Sequence, residues 1–417
     1  MTQSTTDLEG RLRGDLPRLA DAIAAADPTD LAPVRSSRPP RQRIVAALVA
    51  GAVALAGAAG LVIVARHHDG PTRTVVPPAS PLRHSTPLAP SPLSPREGST
   101  SVWTGSEWLV FGGRQGLLAL DDSASYDPAS DTWRRLAANP TMHPGAQAVW
   151  AANVAVVLAK AGGWIYDPTL DRWTQLPPQA RGTARTVEGG TGVWTGREVV
   201  VVGYSGGMPT SLVGRTLDPS TATWGTPSVA VGSSSPSIAG IAGATWDGSR
   251  VQAWLMDGTG WAYDPGNGRW TSLPKLAVPG RTSETATAIA STGERTYALT
   301  TTGDNQGSTT QLAVFENGAW RLVGDPRHGP AGDGATQLVA TANELVEFSA
   351  QQAPQVIDPD RGATHPLPGS LTPPGTDRSI VWTGSELLVW GGRDMTPGTQ
   401  TSPGTPGTLS ASGVRIS

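Results

Sequence analysis

Apolar and polar positions along the chain fall into three regimes. Residues 44–65, IVAALVAGAVALAGAAGLVIVA, are 22 consecutive uncharged, apolar positions. As a helix rising about 1.5 Å per residue, the segment would reach about 33 Å, enough to cross a hydrocarbon core about 30 Å thick. Upstream, Leu8, Leu12, Leu16, Leu19 and Ile23 recur at intervals of 4, 4, 3 and 4. That spacing predicts an amphipathic helix within 6–26, bent or broken at Pro17. From residue 100 the pattern changes to short apolar runs rich in Val, Leu and Trp, stopped by Gly-Gly, Asp-Gly or Asp-Pro. Such runs predict short β-strands joined by tight turns.

The third regime repeats. SVWTGSEWLVFGG (101–113) is followed by AVWAANVAVVLAKAGG, GVWTGREVVVVGYSGG, ATWDGSRVQAWLMDG and IVWTGSELLVWGG, with weaker copies IASTGERTYAL and LVATANELVEF. Aligning Trp103, Trp150, Trp194, Trp246, Ser291, Ala340 and Trp382 gives spacings of 47, 44, 52, 45, 49 and 42. Periods of this size predict a propeller or a related array, in which each four-stranded sheet buries both faces against its neighbours.

Between third and fourth strands a second signature recurs, as in SYDPASDTWRRL (125–136). Asp precedes Trp by six residues in Asp127–Trp133, Asp167–Trp173, Asp218–Trp224 and Asp264–Trp270. Tyr126, Tyr166 and Tyr263 stand just before three of these Asp residues. Pro ends the strand, Asp accepts the hydrogen bonds of the reversal, and Trp returns in the fourth strand to pack between sheets. The fifth copy shortens to Glu316–Trp320, and the sixth has Thr364 where Trp would fall. The repetition favours a structural role for these residues over an aromatic ligand-binding set. Trp164, Trp254 and Trp261 are less periodic and are the candidates for surface recognition.

Seven openings meet only six such reversals, because the last copy lacks a fourth strand. Leu88 lies 15 residues before Trp103, much as Leu136 lies 14 before Trp150. Residues 84–88 are therefore expected to supply the missing outer strand and hide two open edges. The expectation is seven sheets, with six and a decorated end as the alternative.

The chain thus divides into a cytoplasmic segment 1–43, a transmembrane helix 44–65, a Pro/Ser/Thr-rich linker 66–99 and a β-rich region 100–417. A cleaved signal peptide is the rival reading of 44–65. Against it stand the 43 preceding residues and Ile63, where a small residue would be needed for cleavage. Arg35, Arg38, Arg41 and Arg43 flank one side of the span and Arg66 and Arg73 the other. The bias predicts a cytoplasmic N-terminus and an extracytoplasmic β-region. Segment 6–26 would lie on the inner membrane surface, dock on a cytoplasmic partner, or be weakly ordered.

Composition narrows the chemistry. With Gly 51, Pro 37 and Trp 15, many strands and turns are favoured over long helices. A net charge of −3 gives no reason to expect a nucleic-acid partner. No Cys is present, which excludes disulfides, zinc–thiolate sites, iron–sulfur clusters and thiol nucleophiles. The β-region has only His143, His328 and His365, in different repeats. No nucleophile elbow, phosphate-binding loop or zinc-protease motif occurs. No catalytic, cofactor-binding or metal-binding residue is assigned. No Asn-x-Ser/Thr sequon occurs, which together with the Ala-rich span suits a bacterial protein.

A hydrophobic strand ending in Gly-Gly, then Tyr-Asp-Pro, then Trp resembles the kelch repeat. VFGG…SYDPASDTW (110–133) is the best copy, and the resemblance covers roughly 100–392. It implies an all-β, kelch-type β-propeller that binds other molecules through loops at one face. Galactose oxidase carries a similar propeller, but its Tyr–Cys copper cofactor cannot form here without Cys. The functional expectation is a single-pass, membrane-tethered module binding an envelope protein or glycan. The longer connections 205–216, 300–311 and 393–408 are its candidate recognition loops. The alternative is a tethered carbohydrate- or peptide-active enzyme.

Overall fold

The computed structural model describes residues 82–140, 146–159, 162–178, 187–205, 211–230, 240–278, 285–303, 307–329, 337–350, 352–367, 373–395 and 407–417. The chain separates into two compact units, Met1–His68 and Asp69–Ser417. The predicted helices within 6–26 and 44–65 lie outside the described residues. Among the described residues, no helix is long and apolar enough to cross a membrane.

The second unit is all-β. Seven of the sheets its described strands form are antiparallel paths of four strands, beside a small three-stranded sheet of Gly375–Thr376, Arg393–Asp394 and Thr408–Leu409 and a two-stranded hairpin. The first sheet runs Thr100–Trp103, Trp108–Phe111, Ser123–Asp127, Thr132–Leu136. The next five repeat that order, with inner strands Gln147–Ala151, Val187–Trp194, Ile241–Trp246, Thr285–Ser291 and Gln337–Ala340. The seventh takes Ser379–Trp382, Leu387–Trp390 and Gly413–Ile416 from the C-terminal part of the chain and Ser85–Pro87 from the N-terminal part. Ser85 pairs with Ile416, Thr86 with Arg415 and Pro87 with Val414.

Second strands are buried on both faces, as at Trp108–Phe111, Val251–Leu255, Leu345–Phe348 and Leu387–Trp390. Such strands are stable only when sheets cover both their faces, and the core is distributed accordingly. Seven apolar clusters each join two consecutive sheets. One of them packs Leu388 and Trp390 of the seventh sheet, with Leu88 and Leu93, against Trp108, Val110 and Tyr126 of the first. Each inner strand lies beside the inner strand of the next sheet, and Ser379–Trp382 lies beside Thr100–Trp103. This is the architecture of a β-propeller.

The Tyr and Trp of the repeat face each other across the third and fourth strands, in Tyr126–Trp133, Tyr166–Trp173 and Tyr263–Trp270, with Leu217–Trp224 in the third sheet. Ring centroids lie 5.0, 4.9 and 5.0 Å apart in the three Tyr–Trp pairs. The Asp before each Pro caps its own turn: Asp127, Asp167, Asp218 and Asp264 each accept the N–H two residues on, at 2.8–2.9 Å.

A second Asp, not singled out by the sequence reading, ties sheet to sheet. Asp131 accepts the Tyr126 hydroxyl at 2.7 Å and the Ala89 N–H at 2.9 Å, while Trp133 Nε1 donates to the Ala89 carbonyl at 3.0 Å. Asp171, Tyr166 and Trp173 hold Ala137 in the same way, at 2.8 Å to its N–H and 3.2 Å to its carbonyl. Thus both peptide groups of one residue in the preceding sheet's tail are satisfied by the next sheet. In the third sheet the gripped residue is Pro177, which has no N–H to offer. There Trp224 still donates to its carbonyl at 3.0 Å, and Ala222 replaces the Asp. Asp131, Asp171 and Ala222 share the same left-handed turn conformation, with φ of 51°, 47° and 54°.

Two outcomes test this clamp. Trp173→Ala removes a half-buried ring and its hydrogen bond, so it is expected to cost about 2–4 kcal/mol in denaturant unfolding. Asp171→Ala is expected to lower stability, whereas Ala222→Asp gains none, because Pro177 supplies no donor. The second test uses pH. The N–H of Ala89, then the Tyr126 hydroxyl, hold the Asp131 carboxyl below its ordinary range. Its contribution is therefore complete above the ordinary carboxylate pKa and is lost as pH falls through the lower folded-state value. In thermal unfolding, wild type should exceed Asp131→Asn at neutral pH, and the gap should close in that acid window.

Candidate recognition face and closure cluster

Four antiparallel strands per sheet place the first-to-second and third-to-fourth turns at one end. The second-to-third and fourth-to-next-first connections lie at the other. At the first end the turns are short and internally capped. Thr104 Oγ1 accepts from the Ser106 and Glu107 N–H groups at 3.2 and 2.9 Å, and Thr195, Thr341 and Thr383 repeat the device. The second end carries longer connections that include 206–210 and 396–406, which lie outside the described residues, whereas most of the expected loop 300–311 is strand, Thr296–Gly303 pairing with Ser308–Glu316 as far as Gly303 and Ser308.

The described part of that second end has a built feature where the seventh sheet meets the first. Both second strands there end in Gly-Gly-Arg, at 112–114 and 391–393. Glu97, 4% exposed, sits between the two corners. Its carboxylate accepts from Arg393 Nε at 2.7 Å and Nη2 at 3.1 Å, and it pairs with Arg114 Nε at 3.1 Å. The Arg393 hydrogen bonds are the main reason its carboxyl stays below the ordinary range, against the opposing effect of burial. Arg96 is fully buried. Its guanidinium donates to Asp122 at 2.5 and 2.9 Å and to the Gly112 carbonyl at 3.0 Å. Burial pushes the Asp122 carboxyl up, but the Arg96 hydrogen bonds and charge outweigh it and leave the net shift downward. Arg378 mirrors Arg96 in the seventh sheet, reaching the Gly391 carbonyl at 2.9 Å and Asp394 at 2.6 Å.

Next to this cluster a small hairpin, Arg114–Gln115 with Leu118–Ala119, projects from the first sheet. Leu117 and Leu118 at its tip are 104% and 62% exposed. Leu117, Leu118 and Met256, all in second-to-third connections, are the exposed large apolar side chains of this end among the described residues, whereas Leu170 lies at the tight-turn end.

The three candidate recognition Trp residues do not form a surface. Trp254 is 1% exposed and packs on Phe315 and Trp320 at ring distances of 4.9 and 4.7 Å. The same seam, between the fourth and fifth sheets, buries Leu276 and the small Ala286, Ala298 and Ala313. The room it needs comes from Gly260, where a Cβ would strike its ring. It is a core residue, and its irregular position in the repeat reflects that local exchange of large for small. Trp164 and Trp261 are half-buried in third strands and pack into two different seams.

Among the described residues, no group of three or more His, Asp or Glu side chains is placed to hold a metal ion. An acidic hollow opens at the tight-turn end of the sixth sheet, lined among others by Glu344, Val356, Asp358, Asp360 and His365. Asp358 is committed to its turn, accepting the N–H groups of Asp360 and Arg361 at 2.9 and 3.0 Å. His365 Nδ1 lies 3.1 Å from the Pro366 carbonyl oxygen.

No family model matches the chain, and no curated protein matches it. Among solved structures, that of YjhT is similar at 14% identity over 79% of this chain and 96% of that one, with a TM-score of 0.45.

Proposed function

We propose that this chain is a membrane-tethered, extracytoplasmic binding module. In this reading residues 44–65 span the bilayer with the N-terminus cytoplasmic. The β-region is a seven-bladed, kelch-type propeller that presents its longer connections to an envelope protein or glycan. The observation that carries the reading is the unequal treatment of the two ends of the sheets. One end consists of short turns whose Asp, Thr and Trp side chains are consumed by capping and clamping. The other collects the long connections, an exposed Leu117–Leu118 tip and the paired Gly-Gly-Arg corners. Loops on a rigid scaffold are the usual carriers of recognition. The kelch assignment draws support from the Tyr-Asp-Pro and Trp positions, which recur at equivalent places in the first, second and fourth sheets, and from the Gly-Gly that follows the second strand in the first and seventh.

The described chain enters at Leu82, beside the tight-turn end, where its N–H lies 3.3 Å from Glu344 Oε2. Among the described residues, the acidic hollow of the sixth sheet favours the enzyme alternative. Its Asp358 is already engaged as a turn cap, which favours binding over turnover.

Crosslinking of the full-length protein in its native membranes, followed by affinity purification and mass spectrometry, tests the reading, with residues 1–70 as control. One extracytoplasmic partner recovered only with the propeller present is the expected result. Recovery of nothing but the protein itself or cell-wall material would overturn the protein-partner version and turn attention to glycan binding or turnover. If the cytoplasmic segment reports occupancy, deleting residues 1–35 abolishes output while external binding is unchanged. An unaltered output would remove signalling from the proposal.

A further inference from the structure

The chain passes from the seventh sheet to the first through residues 88–99, and this strap grips both neighbours at the long-connection end. Its backbone is zipped to each. Arg96 N–H donates to the Ser410 carbonyl at 3.2 Å, and the Gly392 N–H donates to the Arg96 carbonyl at 2.8 Å. Glu97 and Arg114 exchange two backbone hydrogen bonds, at 3.1 and 2.9 Å. Gln115 Nε2 donates to the Pro95 carbonyl at 2.7 Å. Together with the Glu97 and Arg96 ion pairs, these bonds tie the Arg114–Ala119 hairpin and the Arg393 and Ser410 corner to one short segment.

We propose that this strap is a conformational latch: its undocking loosens the two corners together. Two states follow from the geometry. In the docked state Ser85–Pro87 completes the seventh sheet as an edge strand only three residues long, and Leu88 and Leu93 are buried at 7% and 3% exposure. In the undocked state that strand and strap leave together. Arg96, Glu97 and their partners then regain water, which lowers the cost of releasing them compared with an apolar plug. Ser85–Pro87 is also the first strand after the N-terminal region, so a pull from that side acts on the latch before any other described strand. The inference stands apart from the proposed function, and its failure would leave the binding reading standing.

Hydrogen exchange on the full chain in detergent, read by mass spectrometry, tests it. Glu97→Gln is expected to speed exchange about tenfold or more at 96–98, 114–119 and 408–412 together. Exchange at Gly260–Asp264 in the fourth sheet should not change. Unchanged protection of 114–119 would overturn the latch, and so would a uniform rise across all sheets. Arg114→Gln, at a guanidinium 40% exposed, should give the same regional pattern more weakly if Glu97→Gln does not fold. A second arm adds Thr86→Cys and Arg415→Cys, which face each other across the closing pair in a chain with no other cysteine. Oxidation of that pair in the Glu97→Gln background should restore protection at 114–119, and reduction should remove it. Fast exchange at 114–119 with the strand locked would refute the coupling.

Discussion

Sheets whose second strands are apolar on both faces cannot end in solvent, and the rest of this structure follows from that constraint. Each of the described sheets finds cover on both sides only because the last meets the first. Closure cannot be achieved by the repeat alone, since the last copy has three strands of its own. The missing strand is Ser85–Pro87, taken from far upstream. The polar cluster around Arg96 and Glu97 then seals the same seam at its long-connection end, where no apolar side chain could satisfy the Gly112, Gly391 and neighbouring peptide groups. Stability and topology therefore converge on one short stretch of chain.

Between the other sheets the same problem is solved by repetition with local exchange. The Tyr–Asp–Trp clamp satisfies both peptide groups of Ala89 and Ala137. It loses its Asp where Pro177 removes the donor. The fourth seam substitutes Trp254 for bulk that its alanines lack. In the sixth sheet Thr364 stands in the Trp position, and there the fifth and sixth sheets close by backbone approach. A Cβ on Gly362 would meet the Val323 carbonyl oxygen at 2.6 Å. These are different means of filling one kind of gap, which explains why the copies diverge in sequence while the sheets keep one strand order.

This economy also separates function from fold. Residues that recur at fixed offsets, such as Asp127, Trp133, Asp167 and Trp173, are occupied by turns and seams. Under the proposed binding function, recognition falls to the end where the repeat is broken by connections of unequal length. The Leu117–Leu118 tip is there because the connection after Phe111 doubles back as a hairpin instead of passing directly to the third strand.

The strand pattern, the repeat period and the pairing of Tyr with Trp could be read from the chain, because alternation, Gly-Gly stops and Asp-Pro turns are local rules that act within a few residues. The apolar stretch 44–65 is likewise a local property of composition, and its setting lies outside the described residues. The sequence by itself did not distinguish Trp254 from a surface residue, since its burial depends on Gly260, Phe315 and Trp320, which only the stacked sheets bring together. Nor did it mark Asp131 and Asp171, whose partners Ala89 and Ala137 lie 42 and 34 residues away. Arg393 and Glu97, 296 residues apart, are the extreme case. Such contacts exist only once the last sheet reaches the first, because a buried charge needs its partner in space and the order of residues along the chain does not say which partner that is.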